Sequence, residues 1–330
     1  MLDAFNFNNP DKIPVIYNIW HPGGLSRHGQ KMIDLYKQYP PDNPIAFGDI
    51  PAPPPGTIQA DGKYHEIKTD EWGTEWEYLI YGITGHPKHY PFESWAQAKD
   101  YQFPPLPVGD LWKVKEQRQQ HLIFWGWVSL AEKLCALRPI DEVWMDAISE
   151  DEDFLVFLDR MVDYWQEAIE KALDAGVDVV VFGDDWGTQN STMISPELFR
   201  RVFKPRFKRL MDPIKAAGRR VFFHSCGYLG GIFDELLDLG INGLWPQIRL
   251  HESNPDMMAK CREHKVAIFI HPDRQNLIPL GTPAEIDAEI RRYAEFYKKN
   301  GGGAIFHVEM ENDAPFENVK ALVQAVHKYR

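Results

Sequence analysis

A chain of 330 residues, 44% hydrophobic and 25% charged, has an ordinary globular composition and the length for one large barrel or two smaller domains. A formal charge of -12 without any sizeable basic cluster excludes a nucleic-acid function, and no eighteen apolar residues run together to cross a bilayer. Residues 1–14 lack the pattern of a signal peptide, and three cysteines (Cys135, Cys226, Cys261) are too few for a disulfide framework, so a cytoplasmic protein with reduced thiols and no membrane role is expected.

In chain order, eight short apolar runs rich in β-branched residues stand at 13–20, 44–47, 122–128, 177–182, 219–223, 241–245, 266–270 and 304–308. Continuous apolar runs of this kind suit strands buried on both faces of a parallel sheet. Between them lie segments of helical period. In 153–175, Phe154, Phe157, Leu158, Met161, Trp165, Ile169 and Leu173 form one apolar stripe. Ser195 followed by Pro196, and Thr282-Pro283-Ala284-Glu285, read as helix starts, the second as a capping box. Gly176, Gly218 and Gly240 read as left-handed helix ends. Eight β/α alternations, without a G-x-G-x-x-G turn after the first, predict an α/β fold of the (β/α)8 TIM-barrel type, a single domain over 1–330. A long aromatic-rich insertion, 50–119, separates strands 2 and 3. It opens on Pro51-Ala52-Pro53-Pro54-Pro55-Gly56, contains a predicted hairpin (64–69 and 76–83), and carries Trp72, Trp76, Tyr78, Tyr81, Tyr90 and Trp95. Its size predicts a lid or wall over one barrel end.

Barrel enzymes act at the C-terminal ends of their strands. Here those ends read Trp20-His21, Gly48-Asp49, Gly183-Asp184-Asp185-Trp186, His224-Ser225-Cys226, His271-Pro272-Asp273-Arg274 and His307-Val308-Glu309. His224 and Cys226 are two residues apart and face the same way in a strand, a nitrogen and sulphur pair suited to zinc. On spacing alone the same pair also reads as a core histidine beside a buried thiol. Five carboxylates, four histidines and a thiol gathered on one rim point to a site, because unpaired polar groups are costly to bury.

The motifs Asp184-Asp185-Trp186-Gly187-Thr188-Gln189, Ile194-Ser195-Pro196-Glu197-Leu198-Phe199, Lys204-Pro205-Arg206, His224-Ser225-Cys226-Gly227, Gly281-Thr282-Pro283 and Ala314-Pro315-Phe316-Glu317-Asn318-Val319 together resemble the uroporphyrinogen decarboxylase superfamily. Asp70-Glu71-Trp72-Gly73 is similar to its less characterised branch. True decarboxylases of the family carry an R-Q-A-G-R segment after the first strand, where this chain has Trp20-His21-Pro22-Gly23-Gly24; Phe47-Gly48-Asp49-Ile50 resembles their F-S-D-I motif. Corrinoid-dependent methyltransferases of the superfamily carry H-x-C as zinc ligands, which His224 and Cys226 match, with a second cysteine before the P-x-E-N-V helix. That cysteine is absent. Glu309 is the expected third ligand, with His307 the alternative.

The resemblance implies a zinc-dependent methyltransferase that moves a methyl group from a small molecule, an aryl methyl ether above all, to a corrinoid (cobalamin) carried by a separate protein. Asp184, Asp185 and Asp49 are the expected catalytic carboxylates; Trp20, His21, Trp186, Gln189 and His271 are expected to bind substrate. Two other readings stay open. One is a decarboxylase of another acid, for which Arg27 and Arg274 are the candidate carboxylate grips, and the other a non-catalytic barrel that binds a corrinoid or an organic ligand.

Overall fold

The computed structural model describes residues 1–18, 22–252 and 255–330, with the backbone alone at 255; Trp20 and His21 therefore lie outside the described residues. Among the described residues there are ten strands: β1 Val15–Asn18, β2 Glu66–Thr69, β3 Glu75–Tyr78, β4 His86–His89, β5 Phe124–Val128, β6 Val179–Gly183, β7 Arg220–Ser225, β8 Gly243–Pro246, β9 Ala267–Ile270 and β10 Ala304–Glu309. All but β2, β3 and β4 fall in the apolar runs singled out above. The remaining run, 44–47, contains no strand. Its place beside β1 is taken by side chains: Asp42 accepts from Val15 N at 2.8 Å, and Asn43 accepts from Tyr17 N at 2.9 Å while donating to Tyr17 O at 3.2 Å. With these backbone groups already satisfied, a second strand has little left to bind there.

The chain divides into two compact units. One comprises Met1–Lys68, Glu77–His86 and Ala267–Arg330, the other Thr69–Trp76 and Pro87–Val266. In the first unit β1 pairs in parallel with β10, and β10 with β9, a register that sets Asn18 opposite Glu309. In the second, β5, β6, β7 and β8 pair in parallel in that order, with Gly183 opposite His224. Every residue of β6 is buried, as a strand covered on both faces requires.

The helices between the strands follow their sequence signals. Helix Glu152–Ala175 starts where the Asp151 carboxylate accepts from Phe154 N and ends at Gly176, whose φ of 94° is left-handed. Ser195 caps the short helix Pro196–Leu198, and Thr282 with Glu285 closes a capping box on Pro283–Lys299. Cys135 lies in helix Ala131–Leu137 and Cys261 in helix Pro255–Glu263.

The insertion holds three short strands where a two-stranded hairpin was expected. Its principal aromatics do not line an open cover. Trp72, Phe92 and Trp95 are buried, forming a hydrophobic layer on helix Glu152–Ala175: Trp72 lies 5.4 Å from Tyr164, and Trp95 stacks at 4.9 Å on Phe157. The Asp70 carboxylate ties the turn, accepting from the backbone N–H of Trp72 and Thr74 and from the Trp76 indole. Thr74 Oγ1 then donates to Ala136 O at 2.8 Å. This part of the insertion packs as part of the second unit.

Candidate metal centre

β6 and β7 end side by side. The turns that follow are interlocked by two glycines: a Cβ on Gly227, whose φ is +79°, would lie 2.1 Å from the Gly187 backbone, and one on Gly187 would lie 2.4 Å from Tyr228 N. Only chains without side chains there can approach so closely. Gly187 N donates to Cys226 O at 3.2 Å, Tyr228 N to Thr188 O at 2.7 Å, and Trp186 N to Ser225 Oγ at 2.9 Å. The two strand ends are thereby held in fixed register, with Asp184 and Asp185 on one and His224 and Cys226 on the other.

His224, Cys226 and Asp185 converge, their ligand atoms all within 4.8 Å of one another. His224 Nε2 lies 3.5 Å from Cys226 Sγ and 3.4 Å from Asp185 Oδ1. Zinc bond lengths of 2.3 Å to sulphur and 2.0–2.2 Å to nitrogen or oxygen imply, at tetrahedral angles, separations of about 3.6 Å and about 3.4 Å. The two separations from His224 thus match zinc, and the third, between Asp185 and Cys226, lies within 4.8 Å. Orientation is fixed as well. His224 Nδ1 is 3.0 Å from Trp245 O, which can only accept, so Nδ1 carries a hydrogen and Nε2 is the ring nitrogen turned toward Asp185 and Cys226. Nε2 meets the Asp185 carboxylate either as the N–H of a protonated ring or, were zinc bound, as a ligand beside it. Asp185 Oδ1 also accepts from Cys226 N at 2.6 Å. Burial alone would raise the Asp185 pKa, but His224 and the Cys226 N–H outweigh it and hold the carboxyl below its ordinary value.

Asp184 faces the other way and is fully buried. Its oxygens accept from Ser129 Oγ and Leu130 N at 2.8 Å and from Glu132 N at 2.9 Å, so it clamps the start of helix Ala131–Leu137. Burial pushes its pKa up to about 6 against the pull of these donors. The clamp sets the Glu132 carboxyl beside Asp185, where it bonds to the Asp185 backbone N–H and the Trp127 side chain; burial and the two aspartates push its pKa up to about 8. The Trp127 and Trp245 rings lie 5.3 Å and 4.1 Å from that of His224. Sequence reasoning missed Glu132, Trp127 and Trp245. Glu132 follows the predicted third strand, but Ser129-Leu130-Ala131 intervenes and hides a polar strand end.

The other anticipated residues do not belong to this cluster of three ligand atoms. Trp186 is fully buried among Phe199, Phe203 and Trp144, a core residue where a substrate contact was expected; the aromatic surface near His224 is supplied by Trp127 and Trp245. Asp49 and Gln189 are exposed. Glu309, His307 and His271 belong to the first unit. There Asn18 donates to Glu309 at 2.9 Å, Arg274 lies 3.9 Å away, and burial, opposed by Arg274 and assisted by Glu311, pushes the Glu309 pKa up to about 7. The His271 and His307 rings are 5.3 Å apart. Arg274 bonds to Glu311 at 2.8 Å, and Arg27 donates to Asn312 O.

A parallel β/α chain with polar residues gathered where adjacent strands end is an α/β enzyme fold of the TIM-barrel class. The profile of the uroporphyrinogen decarboxylase (URO-D) family matches residues 128–329, and the chain belongs to that family. Among solved structures, a methyltransferase from Methanosarcina mazei is 18% identical over 99% of this chain and 97% of its own, with a TM-score of 0.61, a likeness of fold. A B12-independent methionine synthase from Shewanella sp. W3-18-1 is 12% identical over 83% of this chain and 75% of its own, with a TM-score of 0.42. A comparison with curated proteins gives no significant match. Among the described residues, no helix is long and apolar enough to cross a membrane.

Proposed function

We propose that the protein is a zinc-dependent methyltransferase that moves a methyl group from a methylated small molecule, an aryl methyl ether above all, to a separate corrinoid protein. The observation that carries this reading is the convergence of His224 Nε2, Cys226 Sγ and the Asp185 carboxylate within 4.8 Å of one another where two neighbouring strands end. Three protein ligands leave a fourth position open, the arrangement of a catalytic site. Bound there, zinc supplies Lewis acidity, which lowers the basicity of the oxygen from which the methyl group departs.

The chain's own residues do the rest. Trp245 O orients His224, the Cys226 N–H holds Asp185, and Asp184 acts as a positioning residue by fixing the helix that carries Glu132. Asp185 is the proposed third ligand. Glu309, in the first unit, is the competing choice, and variants separate them: Asp185→Asn should lower zinc affinity by roughly tenfold or more, while Glu309→Ala should leave it close to wild type. The opposite ranking reassigns the ligand.

The test of the function has two arms. Elemental analysis of protein prepared without chelators should find zinc, lost in His224→Ala and Cys226→Ala. Mixed with a reduced corrinoid protein and methoxylated aromatics, the chain should convert cob(I)alamin absorbance to that of methylcobalamin. Carbon dioxide released from a carboxylic acid without corrinoid would instead establish decarboxylation. Against that alternative, Arg27 and Arg274 already engage Asn312 O and Glu311.

A further inference from the structure

We propose that Trp127 is the specificity-determining wall of the site, the surface on which the flat, uncharged ring of the methyl donor stacks; this rests on reading the site as one for methyl transfer from an aryl methyl ether. Three independent features of the second unit place this indole. The first is a bulge in β5: Trp125 pairs with Val180 but Val128 with Phe182, so three steps on β5 match two on β6, and Gly126 takes a φ of +91°. Bulges of this kind re-aim one side chain out of the strand's alternation. The second is a slot in β6, where a Cβ on Gly183 would lie 2.0 Å from Trp127 Cε2. The ring occupies the volume that any other residue at 183 would fill. The third is the bond between the Trp127 side chain and the Glu132 carboxyl, itself set by the Asp184 clamp.

The result is a rigid aromatic surface 5.3 Å from the His224 ring, partly exposed, with Trp245 edge-on at 6.4 Å. The chemistry around it selects the ligand. An aromatic cage for a cation combines ring faces with a carboxylate turned toward the charge. Here Asp185 is directed at His224 and the Cys226 N–H, and Glu132 at the indole and the Asp185 N–H. A neutral ring that stacks on the indole asks nothing of either carboxylate. Aromatic pairs of this kind contribute beyond their buried area, so truncation should be felt in donor binding before chemistry.

The experiment measures binding of 2-methoxyphenol, and separately of tetramethylammonium, to the zinc-loaded full chain by isothermal titration, with zinc content determined on each sample. Trp127→Ala should weaken 2-methoxyphenol binding by about tenfold or more, with zinc retained. Trp127→Phe should restore most of the affinity. Gly183→Ala, which fills the slot from the other side, should reproduce the loss without touching the indole's own chemistry. In turnover, the Trp127→Ala defect should fall on KM more than on kcat. Binding of 2-methoxyphenol that survives Trp127→Ala unchanged overturns the proposal, and so does a site that takes tetramethylammonium and not the ring. If 2-methoxyphenol binding depends on Trp127 but no methyl transfer occurs, the wall stands and the methyltransferase reading falls.

Discussion

Two neighbouring carboxylates show how far apart adjacent residues can be in role. Asp184 and Asp185 follow the same strand, yet one is turned into the protein and the other toward His224 and Cys226. Replacing Asp184 by asparagine sets an amide NH2 against donors and breaks up a set of three hydrogen bonds at a fully buried position. Losses of that kind cost about 2–4 kcal/mol. We expect chemical denaturation of Asp184→Asn to show a drop of that size, whereas Asp185→Asn should fall mainly in metal affinity. Equal effects of the two substitutions on stability, with equal metal content, would remove the distinction.

At the level of the elements, the β/α alternation is legible in the sequence because buried parallel strands are continuous apolar runs and their helices begin and end on Ser195, Thr282 and Gly176. The exception at 44–47 is legible only in three dimensions, since nothing in the run itself says that Asp42 and Asn43 occupy the edge of β1. Likewise His224 and Cys226 are found by their spacing at the end of one strand. Asp185, Glu132 and Trp127 join them through register, a bulge and a helix clamp, none of which has a sequence signature. Glycines separate the same way. Gly218 and Gly227 both have positive φ, but a Cβ on Gly218 meets open space and one on Gly227 meets the Gly187 backbone. Gly218→Ala should cost about 1 kcal/mol, the conformational penalty alone, and Gly227→Ala about 3 kcal/mol or more with a disrupted metal site. Comparable melting temperatures for the two variants would show that the glycine seam is not needed.

For the whole molecule, acid sensitivity has an identifiable source in the first unit. His327 Nε2 lies 3.0 Å from the Tyr17 hydroxyl, which donates to Tyr39 O at 2.6 Å; burial above all, then the charge of Arg330, lowers the histidine's pKa to about 4. The unfolded chain, with an ordinary histidine near pH 6.5, binds a proton in the window from 6.5 down to 4 that the folded chain does not. The contribution is complete above pH 6.5 and is lost as pH falls toward 4. Urea midpoints should decline across that window, and His327→Gln should flatten the decline; an unaltered slope in the variant would point to other groups.

The glycine seam also bears on how the metal is acquired. On the proposed zinc reading, the Gly187 and Gly227 turns and the β6–β7 ladder bring the donor atoms together through the chain's own contacts, so folding would not wait for the ion. In a zinc finger the metal is the keystone, and chelation collapses the domain. Here the proposed zinc would be a passenger boarding a finished berth. Chelated protein should keep its far-ultraviolet circular dichroism, take zinc back within the mixing time, and gain only the stability that mass action confers, about 4 kcal/mol at a thousandfold excess over Kd.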